Sequence, residues 1–163
     1  MTQRKSPLYY WDTSIFVTWL TNEVRDSGEL AGVAGIATEI HQGRANLLTC
    51  ETTFTEILDL FGDPSLQQKM GQLFRRPNVV RVSIDSRVSE LAGKIRYFYQ
   101  SATDPSQRRS IKTPDSQHLA SAILYKASEF HTFDTGLLRF SGNVAGHNLA
   151  ICKPSVNQLV LNV

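Results

Sequence analysis

Cysteine is scarce in this chain of 163 residues, and the two present, Cys50 and Cys152, stand far apart with no C-x-x-C or close Cys/His spacing. That pattern fits neither a disulfide framework nor a zinc site, and leaves two thiols expected to be buried in a reducing cytoplasm. Long apolar runs are also missing. Nothing approaches the ~20 residues that span a bilayer, and the opening MTQRKSPLYYW lacks the apolar stretch of a secretion signal. The chain is therefore expected to be cytoplasmic, with no membrane partner.

A strong excess of either charge is absent too: the formal net charge of +2 permits a polyanionic partner without arguing for one. No G-x-x-x-x-G-K stretch occurs, which excludes P-loop nucleotide hydrolysis. His41, His118, His131 and His147 show no spacing of a catalytic pair, and His118 reads as a surface helix residue. There is no repeat and no low-complexity segment. With 41% hydrophobic residues the chain can bury one core but is too short for two, so a single domain over residues 1–163 is predicted, with a polar tail from about 155.

What is present is a regular alternation of strand and helix signals. Leu8 to Trp11, Ala45 to Cys50, Val80 to Ile84, Phe130 to Asp134 and Leu149 to Cys152 read as five strands. Between them lie helical stripes: Ile15, Phe16, Trp19 and Leu20; Leu30, Val33, Ala37 and Ile40, weakened by Gly32 and Gly35; Phe54, Ile57, Leu58 and Phe61, closing at Gly62. Asp63 and Pro64 start a helix carrying Leu66, Met70 and Leu73, and Asp85 or Ser86 caps one carrying Val88, Leu91, Ala92, Ile95 and Tyr99. A helix from Thr113 runs to about Ser128. Strands joined through helices are parallel, so the prediction is a three-layer α/β domain with a mostly parallel sheet.

In such a sheet, ligands bind beyond the carboxyl ends of the strands. Asp12 ends the first predicted strand, Asp134 ends the fourth, Glu56 lies in the helix leaving the second, and Asp115 opens the helix before the fourth. Carboxylates gathered at one edge repel unless a cation neutralises them, and oxygen-only ligands suit Mg²⁺ or Mn²⁺ better than zinc or copper. Each acid also has a plainer reading. Thr53 to Glu56 is a T-x-x-E capping box, Asp115 is a first-turn acid favoured by the helix dipole, and Asp12 and Asp134 are helix caps. The plain readings do not predict that all four fall on the same edge. Asp59, one turn beyond Glu56, reads as a solvated helix residue.

WDTSIF at 11–16, TTFTEILDLF at 52–61, TPDSQHLASAIL at 113–124 and HTFDTGLLRF at 131–140 occur in that order and extend over nearly the whole chain. Together they resemble the PIN domain, and among its members the VapC-like toxin nucleases. The resemblance implies a five-stranded parallel sheet, frequent dimerisation, and Asp12, Glu56, Asp115 and Asp134 as the catalytic, metal-binding acids. It implies Thr13, Ser14 and Thr132 as polar neighbours that orient them, and RNA, single-stranded or in loops of structured molecules such as tRNA, as substrate. A cognate antitoxin would be the partner. The segment SATDPSQRRSIK at 101–112 is longer than in the most compact toxin members.

Within that segment Arg108, Arg109 and Lys112 directly precede the helix of Asp115 and offer contacts to an RNA backbone; a solvated basic loop is the plainer reading. Two alternatives share the fold: a housekeeping PIN nuclease outside any toxin–antitoxin pair, and a non-catalytic RNA-binding relative. Phosphatases with a D-x-D nucleophile are disfavoured because Ser14 stands at the second acidic position.

Overall fold

Short apolar runs rich in aromatic and β-branched residues make strands that must be covered on both faces, and amphipathic helices between them provide the cover. The computed structural model describes residues 6–23, 25, 26, 28–57 and 62–155. Among these the order is β1 (Leu8–Trp11), α1 (Thr13–Thr21), α2 (Glu29–His41), β2 (Asn46–Cys50), α3 (Thr52–Glu56), α4 (Pro64–Phe74), β3 (Val79–Val82), α5 (Ser86–Gln100), α6 (Thr113–Leu124), β4 (Glu129–His131), α7 (Thr135–Leu138) and β5 (Ile151–Cys152). The expectations for Leu58, Asp59, Phe61 and the tail beyond Ser155 lie outside the described residues.

The sheet runs β3-β2-β1-β4-β5, and every pairing is parallel. One face packs Tyr10, Leu48, Val82 and Phe130 against Val88, Ala92 and Ile95 of α5, Leu119 and Ala122 of α6, and Leu137 of α7. The other packs Tyr9, Trp11, Leu47 and Val79 against Ile15, Phe16 and Leu20 of α1, Val33, Ile36 and Ile40 of α2, and Met70 and Leu73 of α4. These are the three layers expected.

Several boundaries differ for local reasons. In β3 the outermost position of a clean alternation fails: Val80 is 45% exposed while Val79 is buried, because an edge strand is covered only in part. Helix α6 stops at Leu124, since Lys126 adopts φ +57° and Ser128 N–H already bonds Leu8 O of β1 at 2.7 Å. Strand β4 ends at His131, short of the expected end at Asp134, and a one-turn helix, α7, follows with Asp134 as its cap, as the plainer reading of that residue had it. Gly32 is not merely a weak point of α2: a Cβ there would lie 2.0 Å from the carbonyl oxygen of Pro154, so its absence lets the chain after β5 lie against the helix.

Candidate metal centre and nucleic-acid cleft

The strand order reverses at β1, whose neighbours are β2 on one side and β4 on the other. A crevice opens beyond the carboxyl ends of two such strands, and Asp12 follows β1 as Thr132 follows β4. Asp12 caps α1 by accepting from Ile15 N–H at 3.3 Å. Its Oδ1 also accepts from Ser14 Oγ at 2.6 Å, and its Oδ2 accepts from the Thr132 hydroxyl. The same two hydroxyls accept from the next loop, Ser14 Oγ from Phe133 N–H at 3.1 Å and Thr132 Oγ1 from Asp134 N–H at 2.9 Å. Asp12 is thus tied to the segment carrying Asp134.

Glu56 does not close a capping box. It is the last residue of α3, not in its first turn; Thr53 Oγ1 bonds Thr49 Oγ1 at 2.7 Å instead. Glu56 Oε2 reaches away from its helix to accept from the Thr13 hydroxyl and from His118 Nε2 at 3.0 Å. The carboxylate therefore spans three elements, α3, α1 and α6.

His118 corrects the expectation of a surface residue, being only 2% exposed. Its Nδ1 lies 2.8 Å from Tyr10 Oη and 3.6 Å from Cys50 Sγ, while Nε2 serves Glu56 and lies 3.3 Å from Thr13 Oγ1. Position 118 is three residues after Asp115 and four before Ala122, so it falls on the inward stripe of α6. That spacing was the available signal. Burial works against its charge, but hydrogen bonds with Cys50 and Glu56 and the charges of Cys50 and Asp12 hold its pKa above the ordinary histidine value.

The acids respond differently to this setting. Burial pushes Asp12 above the ordinary carboxyl value, and the opposing effects of His118, Ser14, Thr132 and Ile15 do not cancel it. Glu56 also meets a burial penalty, yet hydrogen bonds from His118 and Thr13 bring it below its ordinary value. Asp115, in the first turn of α6, is raised by burial and then by the charges of Asp134 and Glu56, against the pull of His118 and Lys112. Asp134 caps α7 through Gly136 N–H at 2.6 Å, and a Cβ on Gly136 would lie 2.9 Å from the capping oxygen.

Counting lone pairs tests whether a dication fits. Asp12 Oδ1 and Glu56 Oε2 each take two donors, whereas Asp12 Oδ2 takes one, and Glu56 Oε1, Asp134 Oδ2 and both oxygens of Asp115 take none from the described residues. All four acids thus retain oxygen capacity, the donor chemistry of Mg²⁺ or Mn²⁺. Among the described residues no three of these acids bring ligand atoms all within 4.8 Å of one another.

Asp115 and Asp134 line a cleft of about 210 Å³ with Arg109, Lys112 and Arg139. Arg108 is not among its lining residues; its Nε bonds Ala102 O at 3.0 Å, and the Arg109 guanidinium bonds Ser106 O at 2.6 Å. Arg139 was not anticipated, because nothing in the sequence shows that the residue after α7 lines the same cleft as Lys112. Basic groups and acids therefore share one opening, an arrangement suited to holding a phosphodiester beside a cation.

The fold is an all-parallel α/β sandwich with Asp12 at its switch point and further acids on α3, on α6 and at the start of α7. The PIN domain family model matches residues 9–143, and the chain belongs to that family. No protein of curated function matches it significantly in sequence. In structure it is similar to VapBC2 from Rickettsia felis bound to a DNA fragment from their promoter, with a TM-score of 0.60, 12% identity, and 88% of this chain and 98% of that one covered. It is also similar to a toxin–antitoxin complex from Klebsiella pneumoniae, with a TM-score of 0.59, 17% identity, and coverage of 90% and 97%. A third similar structure is VapC20 of Mycobacterium tuberculosis, a sarcin–ricin loop cleaving toxin, with a TM-score of 0.53, 12% identity, and coverage of 77% and 89%. At these identities the likeness establishes the fold. No helix among the described residues is long and apolar enough to cross a membrane.

Proposed function

We propose that this chain is a divalent-metal-dependent endoribonuclease and the toxin of a toxin–antitoxin pair. PIN domains are typically metal-dependent nucleases, and toxin–antitoxin complexes are among the structures this chain resembles. The observation that carries the reading is the spare oxygen capacity of Asp12, Glu56, Asp115 and Asp134, with Arg109 and Lys112 lining the cleft that Asp115 and Asp134 share.

Asp12, Glu56, Asp115 and Asp134 are the residues that would hold Mg²⁺ or Mn²⁺. When bound, such an ion supplies water activation and charge stabilisation at the attacked phosphate. The chain's own residues supply placement. Ser14 and Thr132 fix the Asp12 carboxylate, and Thr13 and His118 fix Glu56 so that its Oε1 stays available. Lys112 and Arg109 neutralise the RNA backbone, and Arg139, which lines the same cleft, does likewise.

The test is cleavage of a mixed RNA pool by the purified chain, with Mg²⁺ or Mn²⁺ and then with chelator. Metal-dependent cleavage that Asp12→Asn abolishes supports the proposal; cleavage equal in the variant, or unaffected by chelator, overturns it. A small DNA-binding antitoxin encoded immediately upstream and inhibiting the activity supports the toxin role. An isolated gene would favour the housekeeping reading.

A further inference from the structure

The sequence spacing of Cys152 gave no hint of a metal site, but spacing rules describe ligands in local loops and not ligands brought together by strand register. In the parallel β4–β5 pair His131 stands opposite Cys152, and parallel partners in register project from the same face. Glu129, two residues before His131, projects from that face as well. Glu129 Oε2 lies 2.9 Å from His131 Nε2 and 3.7 Å from Cys152 Sγ, and one ligand atom from each of the three residues lies within 4.8 Å of the others.

We propose that Glu129, His131 and Cys152 form a Zn²⁺ site, separate from the acids at the switch point. With metal bonds of about 2.0 Å to N and O and about 2.3 Å to S, a tetrahedral ion requires O···N near 3.3 Å and O···S near 3.5 Å. The observed 2.9 and 3.7 Å depart from this by only a few tenths of an ångström. One thiolate, one imidazole and one carboxylate form a borderline-soft donor set that favours Zn²⁺ over Mg²⁺ or Mn²⁺.

The surroundings agree. His131 is wholly buried and the Tyr9 ring stacks on it at 4.8 Å, which holds the imidazole with Nε2 toward Glu129. Glu129 keeps 25% of its side-chain surface exposed and provides the way in. Three protein ligands leave the fourth position to water, and binding releases the thiol proton. The ion would fasten the two-residue strand β5 to β4, which leads directly into Thr132 and Asp134.

The full chain, stripped with chelator and kept reduced by a phosphine, is titrated with Co²⁺ and then Zn²⁺. The expected result is a near-ultraviolet thiolate charge-transfer band that saturates with one Co²⁺ per chain at this site, apart from any Co²⁺ the four acids take without such a band, and that Zn²⁺ abolishes. Cys152→Ser should remove the band and weaken Zn²⁺ binding by at least about a hundredfold, beyond the 10–100-fold cost of losing groups that only orient a ligand. Glu129→Gln, at a partly exposed position, should weaken binding without disturbing the circular dichroism spectrum. Asp12→Asn and Cys50→Ser should leave the band in place, which separates this site from the proposed nuclease centre. Absence of the band in the wild-type chain, its survival in Cys152→Ser, or its loss in Cys50→Ser overturns the proposal.

Discussion

His118 and His131 invite comparison because they are built from nearly the same parts. Each is buried, each bonds a glutamate through Nε2, at 3.0 Å to Glu56 and 2.9 Å to Glu129, and each has a cysteine and a tyrosine ring beside it. They differ in closure. His118 has both nitrogens engaged, whereas His131 leaves Nδ1 without a partner. The first network is complete without a ligand and serves to hold Glu56 still. The second gathers three metal-binding atom types around Nε2 and leaves its other nitrogen unpaired. Identical side chains thus take different work from where the fold sets them, one on a helix beyond the strand ends and one within a strand.

The largest effect expected is on the acids that the His118 network serves. Asparagine is as good a helix cap as aspartate, so Asp12→Asn should fold normally yet lower metal-dependent RNA cleavage by at least about a hundredfold, more than a merely orienting group costs. Steady-state cleavage together with thermal unfolding checks both halves. Unfolding of the variant would mean that the cap matters more than the charge.

His118→Leu removes the imidazole that bonds both Glu56 and Tyr10 and should cost about 2–3 kcal/mol in denaturant unfolding with chelator present. His131→Leu removes one bond to a partly exposed glutamate and should cost about 1 kcal/mol. Equal losses would break the distinction between a closed and an open network. His118→Leu should also raise the Mg²⁺ concentration needed for half-maximal cleavage, whereas His131→Leu should not.

A pH dependence sharpens the reading of Asp12. Because burial holds its folded-state carboxyl above the ordinary value of 3.8, the folded chain binds that proton more tightly than the unfolded chain. Without metal, stability from this group is therefore lost as pH rises from about 3.8 through the folded value. A bound dication reverses the penalty, so Mg²⁺ at a hundredfold over its Kd should stabilise by about 2.7 kcal/mol at pH 7 and by much less near pH 4. Melting curves at the two pH values, with and without Mg²⁺, measure this. Equal Mg²⁺ effects at both would argue against Asp12 as a ligand.

The smallest effect concerns the cleft. Lys112→Ala should weaken RNA binding several-fold and lower the slope of log K against log salt by about 0.7, the value for one lost contact to a single strand. Arg108→Ala should change neither, since Arg108 is not among the residues lining the cleft. Filter binding across a salt series decides between them.

Much of this was legible in the sequence, and the exceptions have physical causes. Period and punctuation located the strands, and Asp63 and Asp85 were read as the caps they are, each accepting from two backbone N–H groups. Asp12 and Asp134 do cap helices, so the plain reading and the metal reading apply to the same residues. Glu56 could not be settled from its T-x-x-E string, because its partners Thr13 and His118 are distant in sequence and meet it only after folding. His118 was misplaced because a polar residue on an inward stripe looks solvated until its partners are known. The place of Arg139 in the cleft and the His131–Cys152 pairing were invisible for a related reason: one depends on how α7 lies beside α6, and the other on the register between two strands.

The most direct measurement is the anomalous difference map of crystals grown in Mn²⁺. We expect a peak among Asp12, Glu56, Asp115 and Asp134, within about 2.6 Å of at least one of their carboxylate oxygens and linked to the others directly or through water. A saturating Mn²⁺ concentration that leaves this edge of the sheet without a peak would contradict the assignment of the four acids.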